Sequence, residues 1–180
     1  MQAQCLRSTL LVACLCLLSA CGFQLRGSGN NATLLPDSWK SMALVTGNPN
    51  SEFSREILAH FAANGVEWSD RQNARFSLTL GPERFTQRNL TLNSEARAAE
   101  FELTMSANFA VKDALGNDVI AQSTASVVKQ MENDPRNVVG KGEEIRLLQQ
   151  EMRAELSQQI MRRIIFYSTS AEAVADYPGS

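Results

Sequence analysis

The stretch Phe101-Glu102-Leu103-Thr104-Met105-Ser106-Ala107-Asn108-Phe109-Ala110-Val111 alternates apolar and polar side chains almost without interruption. Successive side chains of an extended chain point to opposite faces. Phe101, Leu103, Met105, Ala107, Phe109 and Val111 therefore share one face, and Glu102, Thr104, Ser106 and Asn108 share the other. One face must pack on a core, while the other meets solvent or a partner. That pattern belongs to an antiparallel sheet with one wet side.

Downstream of this strand, Gly116-Asn117 marks a turn, and Val119 to Met131 reads as the next strand of a meander, with the weaker alternation that adjacent Val127 and Val128 impose. Upstream, Phe76, Leu78 and Leu80 alternate with Arg75, Ser77 and Thr79. Gly81-Pro82 interrupts that strand, which predicts a bulge or an edge, and Arg84 to Leu92 continues the same hairpin arm. Trp39 to Thr46 reads as a first strand, broken by Gly47-Asn48-Pro49. Asn50 or Ser51 can cap a helix running to about Ala63, with Phe53, Ile57, Leu58 and Phe61 at helical spacing and Asn64-Gly65 as its stop. After Asn133-Asp134-Pro135 and a Gly140-Lys141-Gly142 loop, a second helix runs from about Glu143 to Phe166. Its apolar stripe is Ile145, Leu148, Met152, Leu156, Ile160 and Ile164. The order βαβββα implies an α+β two-layer sandwich with two helices packed on one face of a four-stranded sheet.

The chain opens differently. Arg7 is the only charged side chain before an apolar run from Leu10 to Leu18, which is too short to span a membrane but suited to the core of an export signal. Leu18-Ser19-Ala20-Cys21 then resembles the lipobox of bacterial lipoproteins, in which the cysteine thiol takes a diacylglycerol, the signal is cleaved and the new amine is acylated. Of the four cysteines, Cys5, Cys14 and Cys16 lie in the removed segment. The mature chain keeps Cys21 alone, with no partner for a disulfide or a cysteine metal site. More than one acyl chain would make the anchoring durable. The expected organisation is a signal peptide over 1–20, a lipidated tether over 21–38, a folded domain over 39–167 and a disordered tail over 168–180.

Without Arg7, sixteen basic side chains face nineteen acidic ones, a net charge near −3. A nucleic-acid binder would need the opposite balance. The single histidine, His60, falls inside the first helix. Glu143-Glu144 suits a helix start, and Glu100 and Glu102 lie on a polar strand face. No phosphate-cradling glycine loop or metal-ligand spacing is present, so the reading is a non-enzyme without cofactor or metal. Basic residues do gather locally. Arg84 and Arg88 lie on the distal part of the hairpin arm and Arg97 just past its turn. If the hairpin pairs around Asn93-Ser94, Arg88 and Arg97 oppose each other, which costs stability and would suit an anion. Lys141, beside the start of the last helix, could add to such a site.

Cys21-Gly22-Phe23-Gln24-Leu25-Arg26-Gly27 is similar to the first mature residues of the LptE family, the lipopolysaccharide-assembly lipoproteins of the Gram-negative outer membrane. Asn64-Gly65-Val66, Ala98-Ala99-Glu100-Phe101-Glu102-Leu103-Thr104, Asn133-Asp134-Pro135 through Lys141, and Gln150-Glu151-Met152 follow in the family's order. The resemblance implies a plug in the lumen of the LptD β-barrel, forming a heterodimer with it and helping it assemble. It also implies binding of lipopolysaccharide on its way to the outer leaflet. Gly22, in place of an aspartate after the lipid cysteine, fits sorting to the outer membrane, with the lipid on the periplasmic side. Lys141 matches one basic position that the family ties to lipopolysaccharide. Ser94 stands where the family has an arginine, so Arg97 and Arg88 are the nearby substitutes. A purely structural plug and chaperone is the alternative that the resemblance leaves open.

Overall fold

The computed structural model describes residues 35–92, 98–132 and 138–175. Cys21, Arg97 and the segments 1–20 and 21–34 lie outside the described residues. A single 3₁₀ turn, Asp37–Trp39, leads into β1 (Ser41–Thr46), α1 (Glu52–Ala63), β2 (Glu67–Trp68), β3 (Phe76–Leu80), β4 (Arg84–Leu92), β5 (Ala98–Asp113), β6 (Asp118–Glu132) and α2 (Val138–Ala175).

The fold is mixed α+β with two helices, but its sheet has six strands rather than the expected four. Two physical causes account for the difference. Gly81-Pro82 splits the hairpin arm: β3 pairs with Phe109–Asp113 and β4 with Ala98–Ser106 of the same long strand β5. Three residues of the arm then oppose two of β5, which is the expected bulge. Gly81 donates its N–H to the carbonyl of Asn108 at 2.8 Å, and a Cβ on it would lie 3.3 Å from that same oxygen. The second cause is β2, two residues that pair in parallel with β1 and cover its outer edge. Trp68 is fixed there by donating Nε1–H to the carbonyl of Leu58, 3.0 Å away on α1. β1 and β3 are also parallel, while β5 is antiparallel to β3, β4 and β6.

The odd-numbered row of β5 is buried as its alternation requires, and it forms one core with Phe53, Ile57 and Phe61 of α1 and Met152, Leu156, Ile160 and Ile164 of α2. Leu103, Met105, Ile57 and Leu156 are fully enclosed, and truncating such a side chain to alanine costs about 2–5 kcal/mol. The even-numbered row, Glu102 to Asn108, stays half-exposed.

The local signals act as their chemistry dictates. The Ser51 hydroxyl accepts the Ser54 N–H at 3.1 Å and caps α1. Gly65 closes the helix at φ +89°, a left-handed conformation that costs glycine least. The β5–β6 turn is held by Asp113, whose carboxylate accepts the N–H groups of Leu115 and Asn117 at 2.9 and 2.8 Å.

Three boundaries differ from expectation. Trp39 belongs to the 3₁₀ turn, so β1 begins two residues later. Leu35, assigned to the tether, is buried in the core. The last helix begins at Val138 and continues to Ala175, well into the segment expected to be a disordered tail. Gly140 and Gly142 each cost a helix about 1 kcal/mol relative to alanine, which is why the sequence suggests a loop there. The Glu143–Arg146 ion pair at 2.7 Å, one turn apart, is one local interaction that favours the helical form.

Candidate functional site

β4, β5 and β6 extend together beyond β1 and β3. At their far end, β4 finishes at Leu92, paired with Ala98, and β5 begins. Of the sequence-predicted basic residues, Lys141 and Arg88 lie toward this end. Lys141 is in the first turns of α2 rather than in a loop, and its ammonium lies 4.2 Å from the centre of the Phe101 ring. A cation over an aromatic face is held electrostatically by about 0.5–2 kcal/mol, depending on desolvation. Phe101 is on the buried row, so Lys141 stands on the helix-covered face.

Arg88 stands on the other face. It pairs with Glu102, not with Arg97, because the register places Glu102 directly opposite it. A hairpin centred on Asn93-Ser94 would need a two-residue loop, whereas β4 and β5 are separated by residues 93–97. Arg88 Nε donates to Glu102 Oε1 at 2.6 Å. That hydrogen bond holds the Glu102 carboxyl below its ordinary range and the Arg88 guanidinium above its own. The arginine side chain remains 70 % exposed. Arg84 is exposed four pairs further along the ladder, opposite Ser106. The structure thus brings Lys141 and Arg88 to one end of the sheet but to opposite faces. Arg97, one residue before Ala98, lies outside the described residues.

Between the charges, the open face is neutral and polar. Thr86 opposes Thr104, Ser106 opposes Ser126, and Asn108 opposes Thr124. The Thr124 hydroxyl donates to Asn108 Oδ1 at 2.8 Å. Such a surface offers donors and acceptors to water or to another polar wall without the desolvation cost of buried charge.

Two ionic partners around β4 escaped sequence reasoning. Glu102 as partner of Arg88 follows only from the register, though its place in the polar row of β5 was visible. Arg153 has no local signal at all. From α2 it reaches Glu83 with Nε at 2.8 Å and Glu52 with Nη1 at 2.5 Å, tying the bulge at the root of β4 to the start of α1. Lys129 of β6 likewise pairs with Glu151 and Glu155 of α2.

His60 is half-buried on α1 beside Phe61. Among the described residues, no group of three or more histidine, cysteine or acidic side chains is placed to hold a metal, and no helix is long and apolar enough to cross a membrane.

The family described as "LptE: Lipopolysaccharide-assembly" matches residues 39–164. Solved structures share the fold. The rare lipoprotein B of Shewanella oneidensis aligns with a TM-score of 0.64 at 21 % identity, over 73 % of this chain and 98 % of that one. A minor lipoprotein of Acinetobacter baumannii aligns at 0.59 and 22 %, over 71 % and 91 % of the two chains. Lipoprotein B of Nitrosomonas europaea, described as uncharacterized, aligns at 0.68 and 17 %, over 88 % and 99 %.

Proposed function

Since the chain belongs to the LptE family of lipopolysaccharide-assembly proteins, we propose that it is an outer-membrane lipoprotein that plugs and helps assemble the LptD β-barrel and binds lipopolysaccharide. The signal over 1–20 is removed, lipid on Cys21 anchors the chain on the periplasmic side, and the domain occupies the barrel lumen. It works by binding, without catalysis.

The observation that supports this reading is that Lys141 and Arg88 stand at one end of the sheet on opposite faces, with a row of neutral polar side chains on the face that carries Arg88. Barrel interiors are polar, and the Ser/Thr/Asn row from Thr86 to Thr124 can pack against such a wall through direct and water-mediated bonds. Lipopolysaccharide brings phosphates to the end. Phe101 beneath Lys141 favours an ammonium held near the ring, so less freedom is lost when an anion arrives. Arg88 commits Nε to Glu102, and its exposed guanidinium can turn its remaining donors to a phosphate, where two parallel charge-assisted bonds are possible. Arg97 adjoins the same strand start in sequence.

Lys141→Glu combined with Arg97→Glu should weaken lipopolysaccharide binding to the purified protein at least tenfold and leave the barrel complex intact. That factor corresponds to about 1.4 kcal/mol, within the usual range for charge-assisted hydrogen bonds. Unchanged binding in the double variant would remove the ligand half of the proposal. The Arg88–Glu102 pair favours one second reading, a purely structural plug, because the carboxylate already offsets the arginine's charge. Salt-sensitive, saturable binding supports the first reading, and its absence supports the second.

A further inference from the structure

β6 is an edge strand, and α2 covers only part of its outer edge. Arg163 Nη1 donates to the Thr124 carbonyl at 2.7 Å, and the Ser126 N–H donates to Gln159 Oε1 at 3.0 Å. Both backbone groups point away from β5, so side chains of α2 occupy the edge there. The ladder to β5 keeps one register from Ser123, opposite Phe109, to Glu132, opposite Glu100. By the two-residue period of a strand, the N–H and C=O groups of Val128 and Gln130 point outward as well. Among the described residues β6 pairs with β5 alone, and no group bonds to these four. The cause is the oblique course of α2. It meets the edge at Gln159 and Arg163, but at Lys141 it stands over Phe101 of the central strand.

The side chains along this bare stretch are unusual for an edge. Val128, on the open face opposite Thr104, is 55 % exposed. Leu147, 52 % exposed, precedes Glu151 by one helical turn and shares its side of α2, and Glu151 reaches Lys129 of β6. Each face thus presents an uncovered aliphatic side chain toward β6. At the end of the stretch Glu132 opposes Glu100 across the ladder, a like-charge pairing that costs stability. Glu100 accepts the Thr91 hydroxyl at 3.2 Å, but among the described residues no cation pairs with either carboxylate. The outer edge of β4 differs. It is blunted by the bulge at Gly81-Pro82, by register shifts between Asn89 and Leu92, and by exposed Arg84 and Arg88.

We propose that the outer edge of β6 from Val128 to Glu132 takes an added strand from the barrel protein. The inference rests on the reading of the chain as a plug of that barrel. Strand addition joins main-chain groups and lets alternate side chains select the partner. The strands of a closed barrel wall already have their backbone groups paired. The added strand therefore belongs to a loop or terminal segment of the barrel chain that lies outside its wall. Its chemistry follows from the edge. The residues opposite Val128 and Glu132 share the open face and lie four positions apart. The first is aliphatic and covers Val128; the second is a lysine or arginine that relieves the opposition of Glu100 and Glu132. A side chain on the alternate row turns toward α2, where Leu147 favours an apolar one.

The test compares the full lipidated chain alone in detergent with the same chain co-purified with its co-expressed barrel. Backbone amide exchange is read residue by residue by mass spectrometry. In the lone chain the outward N–H groups of Val128 and Gln130 should exchange faster than the inward ones of Val127 and Lys129. In the complex the outward pair should slow by about tenfold or more, as open amides become ladder-bonded. Gln130→Pro removes an outward donor that the β5 ladder does not use; it should abolish the slowing at Val128, whereas Gln130→Ala retains it. If the proline variant loses the parent urea midpoint, Glu132→Lys replaces it and should cut the slowing at Val128 severalfold by repelling the basic residue. Exchange as fast in the complex as in the lone chain refutes the added strand and leaves the plug reading standing. Slowing that survives the substitution in a folded variant does the same. Slowing in the lone chain at twice the monomer mass assigns the edge to a second copy and overturns the proposal. If no barrel co-purifies with the parent chain, the plug reading fails and the added strand with it.

Discussion

Replacing Arg153 with methionine removes a charge that three elements share while keeping most of the side-chain stem. In the native fold the arginine side chain is only 15 % exposed, and its partners differ in setting: Glu83 is 25 % exposed and Glu52 is 66 % exposed. The Glu52 arm is therefore a surface pair, worth at most about 0.5–1 kcal/mol. The Glu83 arm is partly desolvated, with Nε 2.8 and 3.0 Å from the two carboxylate oxygens, and removing its partner leaves a half-buried charge. Full burial would make that loss about 3–5 kcal/mol, so partial exposure brings the expected total for Arg153→Met to about 1.5–3 kcal/mol. Urea unfolding followed by circular dichroism measures it. Glu52→Gln should cost little, and the pair Arg153→Met/Glu83→Gln should cost about 1–2 kcal/mol less than the sum of its singles. A loss below about 0.5 kcal/mol for Arg153→Met, or strict additivity with Glu83→Gln, would refute the idea that this arginine holds the root of β4.

Gly81→Ala places a Cβ 3.3 Å from the Asn108 carbonyl oxygen; it should cost about 1–2 kcal/mol in urea unfolding, through strain at the bulge. Ser157→Ala should stabilise the fold by about 1 kcal/mol, since the Ser157 hydroxyl is buried without a hydrogen-bond partner. The Asp113 carboxyl is held below its ordinary range by hydrogen bonds, chiefly from the Asn117 side chain, and Arg88 and Arg146 do the same to Glu102 and Glu143. A carboxyl depressed in the folded state contributes stability above its unfolded pKa, and that contribution fades as pH falls through the folded value. The thermal midpoint should thus decline below about pH 4, and Asp113→Asn should make the decline shallower.

Much of the architecture was legible because its signals are local. The β5 alternation fixed which side chains form the core, Ser51 and Asn64-Gly65 bounded α1, and Gly81-Pro82 marked the bulge. What stayed hidden depends on partners distant in sequence. β2 is two residues with no periodicity, held by pairing with β1 and by the Trp68–Leu58 bond. The start of α2 runs through two glycines that a local reading treats as breakers. The candidate site was half legible: its basic residues stood out, but their faces and partners follow from a register that the turn residues do not encode. Glu102 beneath Arg88, Phe101 beneath Lys141 and Arg153 at the root of β4 became visible only when the strands were aligned.

The central claim is that the half-exposed face of β5 lies against the wall of an LptD barrel. A photo-crosslinking amino acid at Thr104, in the full lipidated chain in intact envelopes, tests it most directly, with the buried-row position Met105 as control. The expected result is a covalent adduct with an outer-membrane barrel protein identified as LptD, formed from position 104 and not from 105, in material purified after detergent extraction. Recovery of the lipoprotein without that barrel, or with no adduct at Thr104, would contradict the account.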